Sequence, residues 1–300
     1  MRHHKLRISE RGTTFRSAGV KMIPAFYLNH DRMQALAQQH AESFKNAKPF
    51  RHTYIDNFLP DDIANMLADE FPGPGDIPWE RGGDRATLQT MHKLGHSNEE
   101  QFAPLTRHVM HEFNSSTFIR FLTTLTGQAG LIVDPHFRGC GLHSTGRGGK
   151  LMIHADKSRH PNKKVDQIFN MIYFLNRDWK EEWGGHLELW DKKLTHCEVR
   201  IAPVFNRAAF FLTGTNTYHG HPYPLECPED RRRNSLAVYY YVIERQKSEN
   251  YEGWRNFVDW MPTTDEEKAR PLRESQPQVF RFEGKKLNIP PQKTDESGNS

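Results

Sequence analysis

The chain has 300 residues, enough for one large domain or two small ones with a substantial core. Its 41 lysines and arginines exceed 37 acidic residues by only 4, so no field of one sign dominates and no polyanionic partner is called for. No apolar run approaches the roughly 20 residues of a membrane helix. Three scattered cysteines, Cys140, Cys197 and Cys227, are too few for a disulfide framework or a zinc ribbon, which makes a reducing cytoplasm the expected compartment.

Residues 1–22 carry Arg2, Lys5, Arg7, Arg11, Arg16 and Lys21 against the single acid Glu10, without the apolar stretch of a secretory signal. They read as a flexible basic arm. From Asp31 to Ala47, small or apolar residues at Met33, Leu36, Ala37, Ala41 and Phe44 mark one helix face, with Asp31 as its cap. Ile63, Met66, Leu67 and Phe71 predict a second helix over Pro60 to Phe71, stopped by Pro72. Ser97 and Glu100 have capping-box spacing ahead of Phe102, Leu105, Val109 and Phe113, and Phe118, Phe121, Leu122 and Leu125 repeat the stripe before Gly127.

Beyond Gly130 the character changes to short β-branched and aromatic runs separated by turns. Strands are expected near Cys140–His143, Leu151–Ala155, Ile168–Leu175, His186–Trp190, Cys197–Ile201, Arg207–Leu212 and Leu236–Ile243. One more short helix is expected around Trp254 to Met261, and the polar end from Asn288 is expected to be disordered. The fold class is therefore α+β with a mainly β core, a jelly roll with packed N-terminal helices. A single catalytic domain would span 23–262, helical to about 130 with its jelly-roll core over about 131–245, followed by an extension at 263–300.

The chemistry lies between His154 and Ser235. His154 and Asp156 are two apart, so in a strand they project from one face, and a distal histidine can complete a facial triad that leaves metal positions open. With 17 histidines the pattern is not unique: His186 and Glu188 form a rival pair, and His219 and His221 both qualify as the distal ligand. Arg233 and Ser235 distinguish the readings. A buried guanidinium with a neighbouring hydroxyl suits the carboxylate of a keto-acid cosubstrate, whereas Arg231 and Arg232 read as a solvated basic loop.

Taken together, FRHTYIDNFLP (50–60), GGKLMIHAD (148–156), MIYFLNRDWKEEWGGHLELW (171–190), IAPVFNRAAFF (201–211), TYHGHP (217–222) and RRRNSLAVYYY (231–241) resemble the 2-oxoglutarate- and Fe(II)-dependent dioxygenases, in the prolyl 4-hydroxylase-like branch. The resemblance implies a double-stranded β-helix and an iron site at His154, Asp156 and His219, the histidine followed by glycine. It implies a cosubstrate anchor at Arg233 and Ser235, leaves His221 a neighbour, and places His186 at a strand position where the branch commonly tolerates glutamate, which demotes the His186–Glu188 pair and leaves His186 a supporting role around the metal ligands. Related hydroxylases often add a tyrosine from the YLN strand, for which Tyr173 is the candidate contact unless the position falls on Phe174. His143 and Ser144 are further candidates for cosubstrate or substrate contact, and Arg147, Lys150 and Trp190 for the substrate entrance. The implied cofactors are Fe(II), 2-oxoglutarate and O2, with ascorbate as an accessory reductant.

The implied reaction hydroxylates an aliphatic C–H of an amino acid, peptidyl residue or small metabolite and releases succinate and CO2. Asp156 favours hydroxylation over halogenation, because related halogenases leave that ligand position vacant for halide. A nucleic-acid demethylase is the alternative within the superfamily, disfavoured because Tyr239 stands where a second arginine is usual. A non-catalytic jelly-roll binding protein is the alternative outside it, and it leaves the intact set of His154, Asp156, His219 and Arg233 without a reason.

Overall fold

A computed structural model describes residues 26–80, 90–253 and 258–268, so the expected basic arm and polar C-terminal end lie outside the described residues. The first helix, α1 (His30–Asn46), buries Met33, Ala37 and Phe44, three of the positions that the periodicity selects. Its cap is Asn29 rather than Asp31. The Asn29 side chain accepts the Arg32 amide at 2.9 Å, and Asp31 sits in the first turn, where its charge complements the helix dipole. After β1 (His52–Ile55), α2 (Asp61–Asp69) buries Ile63, Ala64 and Leu67.

The expected capping box at Ser97 does not form. Ser97 instead bonds Glu80 through both its amide and its hydroxyl, and Asn98 caps a single 3-10 turn over Glu99–Gln101. The helix proper, α3 (Pro104–Glu112), starts at Pro104, which suits a first helical position because it has no amide hydrogen to satisfy. In α4 (Ser116–Thr126), Ser115 caps the start, and Gly127 ends it in the left-handed conformation (φ 71°).

The eleven strands form one curled sheet, nearly closed as a jelly-roll barrel. The further strands are β2 (Thr90–His96), β3 (Ile132–Val133), β4 (Gly141–Ala155), β5 (Asp166–Phe174), β6 (Leu187–Trp190), β7 (Cys197–Ile201), β8 (Arg207–Leu212), β9 (Tyr218–His221), β10 (Arg233–Val242) and β11 (Asp259–Met261). Along the main path their order is β1-β8-β5-β10-β4-β9-β6-β7, with β2 and β11 also on β4 and β3 on β10. The two strands expected near residues 140 and 151 are one. Gly148, at φ 70°, lets β4 bend without ending, so its first part pairs with β10 and its last part with β9. Of the helix expected around Trp254 to Met261, 254–257 lie outside the described residues, and 259–261 instead form β11 against Ile153–Ala155. A short α5 (Asp265–Lys268) follows, so packing continues past residue 262.

Strand alternation gives β5, β8 and β10 two different faces. On one face the helices bury an aromatic cluster. Phe58 lies 5.5 Å from Phe210 and 6.4 Å from Tyr173, and Phe118 stacks on Tyr240 at 6.0 Å. The other face looks into the barrel. Burial on both sides explains why these strands are continuous apolar runs without a polar alternation.

Candidate active site

The last part of β4 and the short β9 bring the metal-binding candidates together. His154 and His219 are direct cross-strand partners, with ring centroids 4.5 Å apart, and Asp156 follows at the end of β4. Gly220 makes this approach feasible: a Cβ there would lie 2.6 Å from the Met152 carbonyl oxygen. The Nδ1 atoms of both histidines donate to backbone carbonyls, His154 to Met152 at 2.8 Å and His219 to Thr217 at 3.1 Å. Both Nε2 lone pairs are thereby turned toward Asp156, whose oxygens lie 3.5 Å and 3.6 Å from them. One ligand atom from each of the three residues falls within 4.8 Å of the others, the only such cluster among the described residues.

Asp156 is held in place by Asn170, whose amide donates to it at 2.6 Å, and Gln167 supports Asn170 at 2.7 Å. Burial works against its ionisation, but His219, His154 and the Asn170 bond hold its pKa well below the usual carboxylate range. Burial, with the charge of His154, draws His219 down to about 4, against the pull of Asp156. Two imidazoles and one carboxylate are a donor set suited to a divalent first-row metal. Phe211, 4.7 Å from His219, and Trp260 of β11, 4.9 Å from His154, wall the site. Neither wall is evident from motif spacing, nor is the Asn170–Gln167 support, because these contacts depend on strand register.

Deeper in the barrel, Arg233 and Ser235 share the inward face of β10. Arg233 is 5% exposed, bonds the Gly185 carbonyl at 2.7 Å through Nε, and lies 4.9 Å from the Phe174 ring. Burial lowers its pKa to about 9, which leaves it a cation at neutral pH, and no carboxylate pairs with it among the described residues. Gly185 has to be glycine, since a Cβ would meet Leu225 at 2.6 Å and Arg233 at 3.0 Å. The Ser235 hydroxyl is buried and unpartnered. A buried cation beside an idle hydroxyl fits a carboxylate ligand, so the donor set and the pocket both fit Fe(II) with a keto-dicarboxylic acid. His221, on the same face of β9 as His219, is fully enclosed, and burial followed by the charge of Arg233 pushes its pKa far down.

The other candidates fall elsewhere. Tyr173 is not a cosubstrate contact. Its side chain is on the helix-facing side of β5, where its hydroxyl donates to Asn206 at 2.8 Å, while Phe174 takes the pocket position opposite Ser235. Leu189 pairs with His219, so His186 and Glu188 occupy the opposite face of β6. There His186 bonds Glu181, and Glu188 receives the Trp190 indole N–H. Ser144 points away from the barrel to Asn234, whereas His143 is opposite Ser235 in register. Lys150 is fully buried and paired with Glu267 at 3.3 Å, Trp190 packs with Ile153 and Tyr218, and Arg147 caps the carbonyls of Glu226 and Cys227. None of these three reaches the triad. Arg231 and Arg232 are not simply solvated: Arg232 donates to the Ser144 hydroxyl at 2.7 Å, and Arg231 bonds the Arg177 carbonyl.

Residues 140–241, from the start of β4 almost to the end of β10, match the family model of the 2OG-Fe(II) oxygenase superfamily. The match covers about a third of the chain and makes its jelly-roll core similar to the 2-oxoglutarate- and Fe(II)-dependent oxygenases. Its fold is similar to that of a prolyl hydroxylase from Trichoplax adhaerens, solved with a hypoxia-inducible-factor oxygen degradation domain peptide (16% identity, 70% of this chain and 91% of that one, TM-score 0.51). Other similar structures are a Pseudomonas putida prolyl-4-hydroxylase (16% identity, 69% and 99% covered, TM-score 0.47) and HygX from Streptomyces hygroscopicus with nickel, 2-oxoglutarate and hygromycin B bound (10% identity, 68% and 87% covered, TM-score 0.44). No curated protein sequence matches the chain. Among the described residues no helix is long and apolar enough to cross a membrane.

Proposed function

We propose that this protein hydroxylates an aliphatic C–H bond of an amino acid, a peptidyl residue or a small metabolite, with iron on His154, Asp156 and His219 and 2-oxoglutarate anchored by Arg233 and Ser235. The observation that carries this reading is the buried, acid-free cation at Arg233 lying within the same barrel as the clustered triad. When bound, Fe(II) and 2-oxoglutarate supply the oxidising chemistry that turns O2 and a C–H bond into an alcohol, with succinate and CO2 as co-products.

The chain's own residues bind, orient and enclose. Arg233 and Ser235 fix the cosubstrate's far carboxylate, which sets the reach of its keto-acid end toward the triad. Asn170 holds Asp156 against rotation, and the Nδ1 bonds hold both imidazoles. Phe211 and Trp260 exclude water from one side of the triad. Asp156 occupies a ligand position that a halide would need, so hydroxylation is the outcome its presence supports. The catalytic domain comprises residues 23–262, and α5 packs onto it through the buried Lys150–Glu267 pair.

The test is succinate release from 2-oxoglutarate with candidate substrates, under anaerobic iron loading and controlled addition of O2. His154→Ala is expected to lower turnover by at least about a thousandfold, roughly 4 kcal/mol in the barrier. Turnover that does not depend on iron would sink the assignment.

A further inference from the structure

Ser235 is not the only polar group of the barrel interior that lacks a hydrogen-bond partner among the described residues. His221 is 3% exposed, and neither of its ring nitrogens makes a hydrogen bond among the described residues. It lies two residues beyond His219 on the inward face of β9. Thr145, directly opposite Arg233 in the β4–β10 register, is 1% exposed with its hydroxyl unpartnered. Buried polar groups are nearly always satisfied, so several of them around one unpaired cation point to a ligand that completes them. The ring beside the guanidinium is Phe174, which has no hydroxyl to offer, and the Tyr173 hydroxyl is engaged by Asn206 on the far face.

We propose that His221 and Thr145 are cosubstrate-binding residues: an imidazole N–H and a hydroxyl that donate to the carboxylate held by Arg233 and Ser235. The seat for the distal carboxylate is then built from β4, β9 and β10 together. It selects a keto acid with a second carboxylate over one without. This inference rests on the reading of the pocket as a 2-oxoglutarate site.

The experiment uses the full chain loaded with Ni(II) in place of iron and measures binding of 2-oxoglutarate and of 2-oxopentanoate, which keeps the chain length but lacks the distal carboxylate. Wild-type protein is expected to favour 2-oxoglutarate. In His221→Leu that preference should shrink about tenfold, and in Thr145→Val several-fold, each the loss of a hydrogen bond to a charged group. Ni(II) affinity and 2-oxopentanoate affinity should stay at wild-type values. His221→Asn, which keeps an N–H donor, should recover part of the preference. Thermal melting of metal-free His221→Leu should not fall, because the substitution removes two unsatisfied buried nitrogens. An unchanged preference in His221→Leu, or an equal loss for both keto acids, overturns the inference while leaving the cosubstrate reading standing. Wild-type protein that binds neither keto acid overturns both.

Discussion

The two faces of the sheet made by β5, β8 and β10 are built to opposite rules. On the helix side, the two tyrosine hydroxyls that β5 and β10 contribute are both paired: Tyr173 donates to Asn206, and Tyr240 donates to the Phe113 carbonyl at 3.0 Å. On the barrel side, among the described residues, Arg233 has no acid, and Ser235, Thr145 and His221 have no hydrogen-bond partner. The same three strands serve both, one residue apart, so Tyr173 and Phe174 belong to different worlds. A face that stabilises is satisfied by the chain itself. A face that binds is left to be satisfied by its ligand.

Substitutions on the two faces should therefore separate stability from binding. The largest effect is expected on the helix side. Phe118→Ala opens a cavity among Phe58, Phe113, Phe121 and Tyr240 and should cost about 3–5 kcal/mol in chemical denaturation. The fraction that stays folded should keep its 2-oxoglutarate affinity. On the barrel side, Arg233→Met should weaken 2-oxoglutarate binding by about 2–5 kcal/mol, read by calorimetry. Metal-free stability should not fall, since the substitution removes a buried charge that lacks a counter-ion. A parallel loss of stability and affinity in either variant would erase the distinction.

Two smaller changes sharpen it. Asp134 ties the rim of the barrel to the segment after β4, receiving Lys163 at 2.7 Å, His160 at 3.1 Å and the Arg138 amide at 2.9 Å. Burial raises its pKa, but these donors outweigh it and hold it at about 2. A depressed carboxylate stabilises the fold above the ordinary aspartate range, and that stability is lost as pH falls from about 4 toward 2. Asp134→Asn should thus cost on the order of 1–2 kcal/mol at neutral pH, and the difference from wild type should shrink as pH falls toward 2 and vanish only below it in urea titrations. Last, Tyr173→Phe removes one buried hydrogen bond and should cost about 1 kcal/mol of stability, with 2-oxoglutarate affinity unchanged. Weakened cosubstrate binding in that variant would return Tyr173 to the pocket.

Much of the frame is legible in the residues themselves. Helical periodicity selects Met33, Ala37 and Phe44, and the Cys197–Ile201 and Arg207–Leu212 strands are bounded as the β-branched and aromatic runs predict. The spacing of His154 and Asp156 and the TYHG and Arg-x-Ser pieces single out the candidate site, because ligand chemistry and strand alternation are local properties. Capping and punctuation are less legible. Asn29 outcompetes Asp31 by one turn's geometry, and the Gly148–Gly149 pair bends β4 where it reads as a break, since a glycine permits several conformations and its neighbours choose one.

Local sequence supplies the set of groups: two histidines and a carboxylate able to hold a metal, an arginine and a serine able to hold an acid, and a core of strands and helices to carry them. Which face each side chain takes follows from how the strands pair. Register assigns Phe174 rather than Tyr173 to the pocket, turns His186 and Glu188 away from the triad, and brings Asn170, Trp260, Thr145 and His221 into or against it. The physical reason is the two-residue period of a strand: a shift of one residue exchanges inside for outside, and that choice depends on pairing between strands far apart in the chain.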